Sequence, residues 1–179
     1  MTNNSQKYLD TYLKFEIGNQ ELLDILGPEL HTSPASPRTN QYNSFENGLI
    51  GHLLNIANYS VKLNSILPIG NQYPVGTVLR VALLSEIGKV GMFKETNDAW
   101  KKKIGNNYDY TDGRESLRTG QRSIYFINQA GIKLSEVEYA AILNSDSLPD
   151  DQMVNYHNSR LGDNLKHAIT LAIHDEKTT

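Results

Sequence analysis

A chain of 179 residues, 39% hydrophobic and 21% charged, has the size and composition of one globular domain with a core of its own. Its formal charge of -3 provides no global field for wrapping nucleic acid or lying on an anionic membrane. The lack of cysteine excludes disulfides, thiolate nucleophiles and cysteine-ligated zinc.

The N-terminal stretch MTNNSQKYLDTYLKFEIG has no basic start followed by an apolar run, and no segment approaches the apolar length that spans a bilayer. A cytoplasmic protein is therefore expected, with no membrane partner. Tyr8, Leu9, Tyr12 and Leu13, then Leu22, Leu23, Ile25 and Leu26, recur at helical spacing and are interrupted at Gly18 and at Gly27-Pro28. The pattern predicts two short helices within residues 1–30, packed on a core made by 31–179 in a single globular unit. The polar stretch HTSPASPRTNQYNSFENG, with Pro34 and Pro37, predicts an extended loop that is long for an idle connection.

Over 48–67 the residues Leu49, Leu53, Ile56, Ala57 and Leu63 form one apolar stripe, with His52 beside it. A further helix is predicted around Val78, Val81, Ala82 and Ile87. It carries Ser85 and Glu86 and closes near Gly88 and Gly91. The segment WKKKIGNNYDYT, 100–111, places Gly105 and Asn106 between two short runs and predicts a two-stranded excursion. Beyond it, helices are predicted over 119–130, 134–145 and 160–175, with a loop around Pro149 between the last two. Ser135 and Glu138 have the spacing of a capping box.

The order of the phrases SPAS, GLIGHLLN, VALLSEIGKVGMFK, a Trp-bearing hairpin, RTGQRSIYFI and LSEVEYAAILNSD resembles the small stand-alone HD-domain proteins frequent in tailed-phage and bacterial genomes. The resemblance runs from about residue 33 to the end. It implies an all-α, HD-domain-like helical bundle with a small β-hairpin inserted after the second core helix. In that family, His and Asp residues from separate helices hold one or two divalent metals, which activate water against a phosphate ester.

Carried over residue by residue, the first histidine is kept as His52, while the adjacent His-Asp pair is replaced by Ser85 and Glu86. Thr119 stands at the histidine of a glycine-histidine-glycine phrase and Ser145 at the histidine before methionine-glycine. The closing aspartate corresponds to His174, or to Asp175 one residue on. Hydroxyls donate less charge to a divalent ion than imidazole or carboxylate and rarely deprotonate, so the resemblance implies loss of the two-metal centre and no resident cofactor. Lys89 keeps the lysine of the family's phrase, and Arg122 keeps a basic position beside the lost histidine, with Arg114 and Arg118 nearby in sequence. These cations imply a pocket able to hold a nucleotide or phosphate by charge-assisted hydrogen bonds.

Two functions follow as expectations. The first is a non-catalytic HD-like protein that binds an anionic ligand or a protein partner in the remodelled pocket. The alternative is a metal-dependent phosphohydrolase acting on nucleotides through a reduced mononuclear site on His52, Glu86 and His174, two imidazoles and a carboxylate. Plainer structural roles stand beside both. His52 suits a hydrogen-bonded interior histidine, and His167 and His174, seven residues apart, suit a solvated pair on one side of the last helix. Lys89 and Arg122 suit ordinary helix coating. Lys101 to Lys103 beside Trp100 are read as structural parts of the hairpin rather than a nucleic-acid contact, because one triple-lysine run on an acidic chain is weak evidence for phosphate binding.

Overall fold

A computed structural model of the chain describes residues 2–112, 116–146 and 159–178; the loop expected around Pro149, and Arg114, lie outside these. The described residues are mainly helical, with one two-stranded antiparallel sheet. No helix among them is long and apolar enough to cross a membrane.

The first helices begin where a side chain can satisfy amides that the helix itself leaves unpaired. Thr2 Oγ1 accepts from Ser5 N at 3.2 Å to open α1 (Asn3–Lys14), and Asn19 Oδ1 accepts from Leu22 N at 3.0 Å to open α2 (Gln20–Leu26). The interruption at Gly18 has a packing cause. A Cβ there would lie 2.2 Å from the Tyr12 hydroxyl oxygen, and that hydroxyl donates to Asn19 O at 2.9 Å. After Gly27, at φ 56, and Pro28 comes a one-turn helix, α3 (Glu29–Thr32), in addition to the two helices predicted for this region.

The central element is α4 (Gly48–Ser65), which packs against α1 and α3 and against two later helices, α5 (Val75–Leu84) and α9 (Arg160–Thr178). Leu49, Leu53 and Ile56 form its fully buried stripe, each such side chain contributing roughly 1.5–3 kcal/mol by leaving water. His52 follows Leu49 by three residues and precedes Ile56 by four, so helical period places it within that stripe. α5 buries Val78, Val81, Ala82, Leu83 and Leu84 because it has neighbours on several sides.

The periodicity predicts Ser85 and Glu86 within that helix, but both lie beyond its last turn. Ser85 is its C-cap, and Glu86 leaves the helical path, at φ -118 and ψ 17, into a 3-10 turn over Ile87–Lys89. The turn packs against α7 (Thr119–Gln129) so closely that a Cβ on Gly88 would sit 2.2 Å from Thr119 O.

The hairpin exists with its first strand earlier than predicted: β1 (Phe93–Glu95) pairs with β2 (Tyr108–Tyr110), Phe93 opposite Tyr110 and Glu95 opposite Tyr108. The Trp-Lys-Lys-Lys stretch between them is helical, α6 (Ala99–Lys103). Asp98 Oδ1 accepts from Trp100 N at 2.8 Å and Lys101 N at 3.2 Å, and Gly105 at φ 83 follows the end of the turn. A cap followed by good helix formers outweighs a weak strand signal.

Ser135 and Glu138 form the expected capping box at α8 (Glu136–Leu143), with Ser135 N donating to Glu138 Oε2 at 2.9 Å. Along α9, Leu165, Ala168, Ile169 and Ala172 face the interior, against α4 and α8. One apolar cluster joins Tyr8, Tyr12 and Leu22 of the first helices to side chains of α4, α5, α7 and α9.

Candidate functional site

Four elements deliver charged or polar side chains to one buried point. α4 brings His52, the 3-10 turn brings Glu86 and Lys89, α9 brings Glu176, and the loop 33–47 brings Tyr42. The loop is anchored by Ser33 Oγ, which accepts from Gly91 N at 2.9 Å, and by Ala35 N, which donates to Asn43 O at 3.0 Å. The SPAS phrase therefore ties the loop down beside the turn, and the loop's length lets Tyr42 reach the site.

His52 is fully buried, its ring tilted 36° against Tyr42 with centroids 4.6 Å apart. Nδ1 donates to Glu176 Oε2 at 2.8 Å, and Asn55 Nδ2 donates to the other oxygen of that carboxylate at 2.7 Å. Nε2 faces Glu86 Oε2 at 3.0 Å, within ion-pair distance though off the line of a hydrogen bond. The same Glu86 oxygen accepts from Lys89 Nζ at 2.5 Å, and Lys89 also donates to the Tyr42 hydroxyl at 2.8 Å. Glu86 and Lys89 are only 4% and 6% exposed, so bulk solvent screens this chain of contacts little.

Protonation follows from the geometry. Both ring nitrogens of His52 face carboxylate oxygens, and only the imidazolium presents a proton to each. Burial opposes that charge, but Glu86 and the contact with Glu176 outweigh it and raise the His52 pKa above 6.5. Burial alone would push the Glu86 carboxyl up; the Lys89 ammonium and His52 reverse this and hold it down at about 2. For Lys89, burial is likewise overcome by Glu86, which pushes the ammonium above its ordinary range. Burial pushes the Tyr42 phenol up, with Lys89 opposing. The shifts of Glu86 and Lys89 thus sustain each other inside the protein.

Ser85, Thr119 and Ser145 take no part in this chain of contacts. Ser85 is buried, its hydroxyl donating to Ala82 O at 2.9 Å and its carbonyl accepting from Ser123 Oγ at 2.8 Å. Thr119 opens α7, and buried Ser145 follows α8. Among the described residues no hydrogen bond or ion pair joins either side chain directly to the His52 cluster.

His174 is exposed, as is His167 on the same side of α9. Asp175 is exposed too, and the residue of α9 that reaches His52 is Glu176. A sequence signal for it exists. Leu165, Ala168, Ile169 and Ala172 mark the inward stripe, and four residues beyond Ala172 the stripe returns at Glu176, whereas position 174 is turned well away. Tyr42 has no comparable signal, because a loop carries no period.

Lys89 and Arg122 are committed to different contacts. Arg122 Nη1 donates to Gly88 O, its guanidinium lies 4.8 Å from the centroid of Phe126, and it lines a separate cleft of about 500 Å³ in whose wall Lys89 has no part. Both are buried rather than part of an exposed coating. Arg118 is exposed at the start of α7. In the hairpin, Lys101 pairs with Asp109 and Lys102 with Glu95, each at 2.7 Å, while Trp100 is exposed.

A divalent metal of the kind the resemblance implies does not fit these residues. The two carboxylates approach opposite edges of the His52 ring, and the Lys89 ammonium already occupies the Glu86 oxygen. His174 is exposed, whereas His52 and Glu86 are buried. Compared with protein-family models, with curated proteins and with solved structures, the chain has no match.

Proposed function

We propose that the chain is a catalytically silent HD-domain-like protein, in which an internal ion-pair cluster stands where the resembled family keeps its metals, and which acts by binding a ligand or protein partner. The observation that carries this reading is the 2.5 Å contact of Lys89 with Glu86. It supplies the carboxylate with a permanent cation from the chain itself. A metal hydroxide needs an open coordination position beside neutral imidazoles and free carboxylates, whereas here the imidazole is drawn toward its charged form and is fully buried.

The inward commitment of Lys89 and Arg122 weighs against nucleotide or phosphate at those two residues, since an anion would have to break contacts each already makes. The test is equilibrium dialysis of the purified chain against Zn²⁺, Mn²⁺ and Mg²⁺, paired with phosphate-release assays on a nucleotide panel. Neither stoichiometric metal nor turnover is expected. A tightly held ion that disappears in His52→Ala, accompanied by hydrolysis, overturns the reading.

A further inference from the structure

Beside the His52 cluster, α1, α4, the loop before α4 and the end of α9 enclose a cleft of about 610 Å³, a size usual for small-molecule sites. Five asparagines line it: Asn4, Asn43, Asn47, Asn55 and Asn58. Asn43 Nδ2 donates to Gly48 O at 3.3 Å, and Asn55 holds Glu176. Among the described residues the side-chain amides of Asn4, Asn47 and Asn58 make no hydrogen bond within the chain. Each amide offers two donors and an acceptor in a single plane.

The arrangement follows from helix period. Positions 47, 51, 55 and 58 share one face at the start and along the length of α4, and the residue between the asparagines on that face is Gly51. A Cβ on Gly51 would lie 3.4 Å from Asn4 Nδ2 and 3.5 Å from Asn43 Nδ2, ordinary contact distances. The missing side chain therefore opens the cleft between carboxamides without any steric demand of the fold. Leu54, Ala57, Val61 and Leu79 supply an apolar side to the same cleft, and Phe45, 57% exposed, stands in its lining.

Charge selects among ligands. The wall holds one cation, Lys7, beside the carboxylate of Asp175, while the Glu176 carboxylate is already held by His52 and Asn55, so the cleft offers a phosphate no excess of positive charge. Sugar hydroxyls both donate and accept, which matches carboxamides, and the C–H face of a sugar ring can cover aliphatic and aromatic surface. We propose that this cleft binds a neutral saccharide of one or two sugar units. The proposal goes beyond catalytic silence and is independent of it, because of the cleft residues only Glu176 and Asn55 take part in the buried cluster.

The experiment is saturation-transfer NMR followed by titration of the full chain with glucose, galactose, mannose, N-acetylglucosamine and their disaccharides, alongside inorganic phosphate and a neutral polar peptide. Saturable binding of at least one saccharide is expected, weakened at least tenfold by Gly51→Leu, which fills the cleft, and severalfold by Asn58→Leu at an exposed position. Both variants are expected to keep the native unfolding transition and amide spectrum. Failure of every saccharide to saturate, saccharide binding untouched by either folded variant, or preferential binding of phosphate or peptide each overturns the proposal. Metal dialysis and hydrolysis assays leave it unaffected, so its failure is distinguishable from failure of the silent-centre reading.

Discussion

Lys89 Nζ lies 2.5 Å from Glu86 Oε2, the two residues held three apart by a 3-10 turn, and both side chains lie inside the protein. The turn is what makes the pair. It swings Glu86 out of α5 toward His52 and brings Lys89 back over the same oxygen, so one carboxylate oxygen meets both side chains.

Removing one partner of a buried ion pair leaves the other charge uncompensated, at a cost of about 3–5 kcal/mol. Lys89→Met is expected to lose about that much stability in urea unfolding. The double variant Lys89→Met/Glu86→Gln is expected to lose clearly less than the sum of the two single changes, with a coupling of at least ~1 kcal/mol. Additive losses would mean that the pair does not act as a unit.

Stability should fall at both ends of the pH scale, by linkage. The Glu86 carboxyl, lowered from 4.5 to about 2, contributes stability that is complete above 4.5 and is lost as pH falls through about 2. His52 is raised above 6.5, so its contribution is complete below 6.5 and is lost as pH rises through the higher folded value. Urea midpoints measured from pH 2 to 10 should show both limbs. In Glu176→Gln the alkaline limb should move to lower pH, and an unmoved limb would mean that Glu176 does not hold the imidazolium.

Glu176→Ala should release the last turn of α9, where the carboxylate ties α9 to both His52 and Asn55. Hydrogen exchange over 172–177 is expected to quicken markedly, with stability down by about 1–3 kcal/mol from the groups left unpaired. His174→Ala, at an exposed position, is expected to stay within about 0.5 kcal/mol of the unmodified chain. A reversal of that order would return the α9 contribution to His174.

The glycine after the Ser-Glu pair should tolerate nothing larger. Gly88→Ala drives a methyl toward Thr119 O and is expected to cost at least ~1–3 kcal/mol as overpacking against backbone. Ser123→Ala removes the hydroxyl that accepts from Gly88 N at 2.8 Å and donates to Ser85 O, and should cost about 1–3 kcal/mol. Chemical denaturation of the two variants checks both values.

What the amino-acid sequence determined by itself was local. The stripe Leu49, Leu53, Ile56 and the capping box at Ser135 are visible because period and cap chemistry act within a few residues. So is the presence of a hairpin near Gly105, although one capping aspartate, Asp98, moved its first strand. The site was legible in its first half only: His52, Glu86 and Lys89 stand in quotable phrases, but their partners do not. Glu176 meets His52 across 124 positions, and Tyr42 arrives on a loop. Which oxygen faces which nitrogen is set by the phase at which α9 packs against α4 and by the turn after α5. That geometry arises only when the helices share a core, so tertiary structure alone decided that the charges would pair with each other.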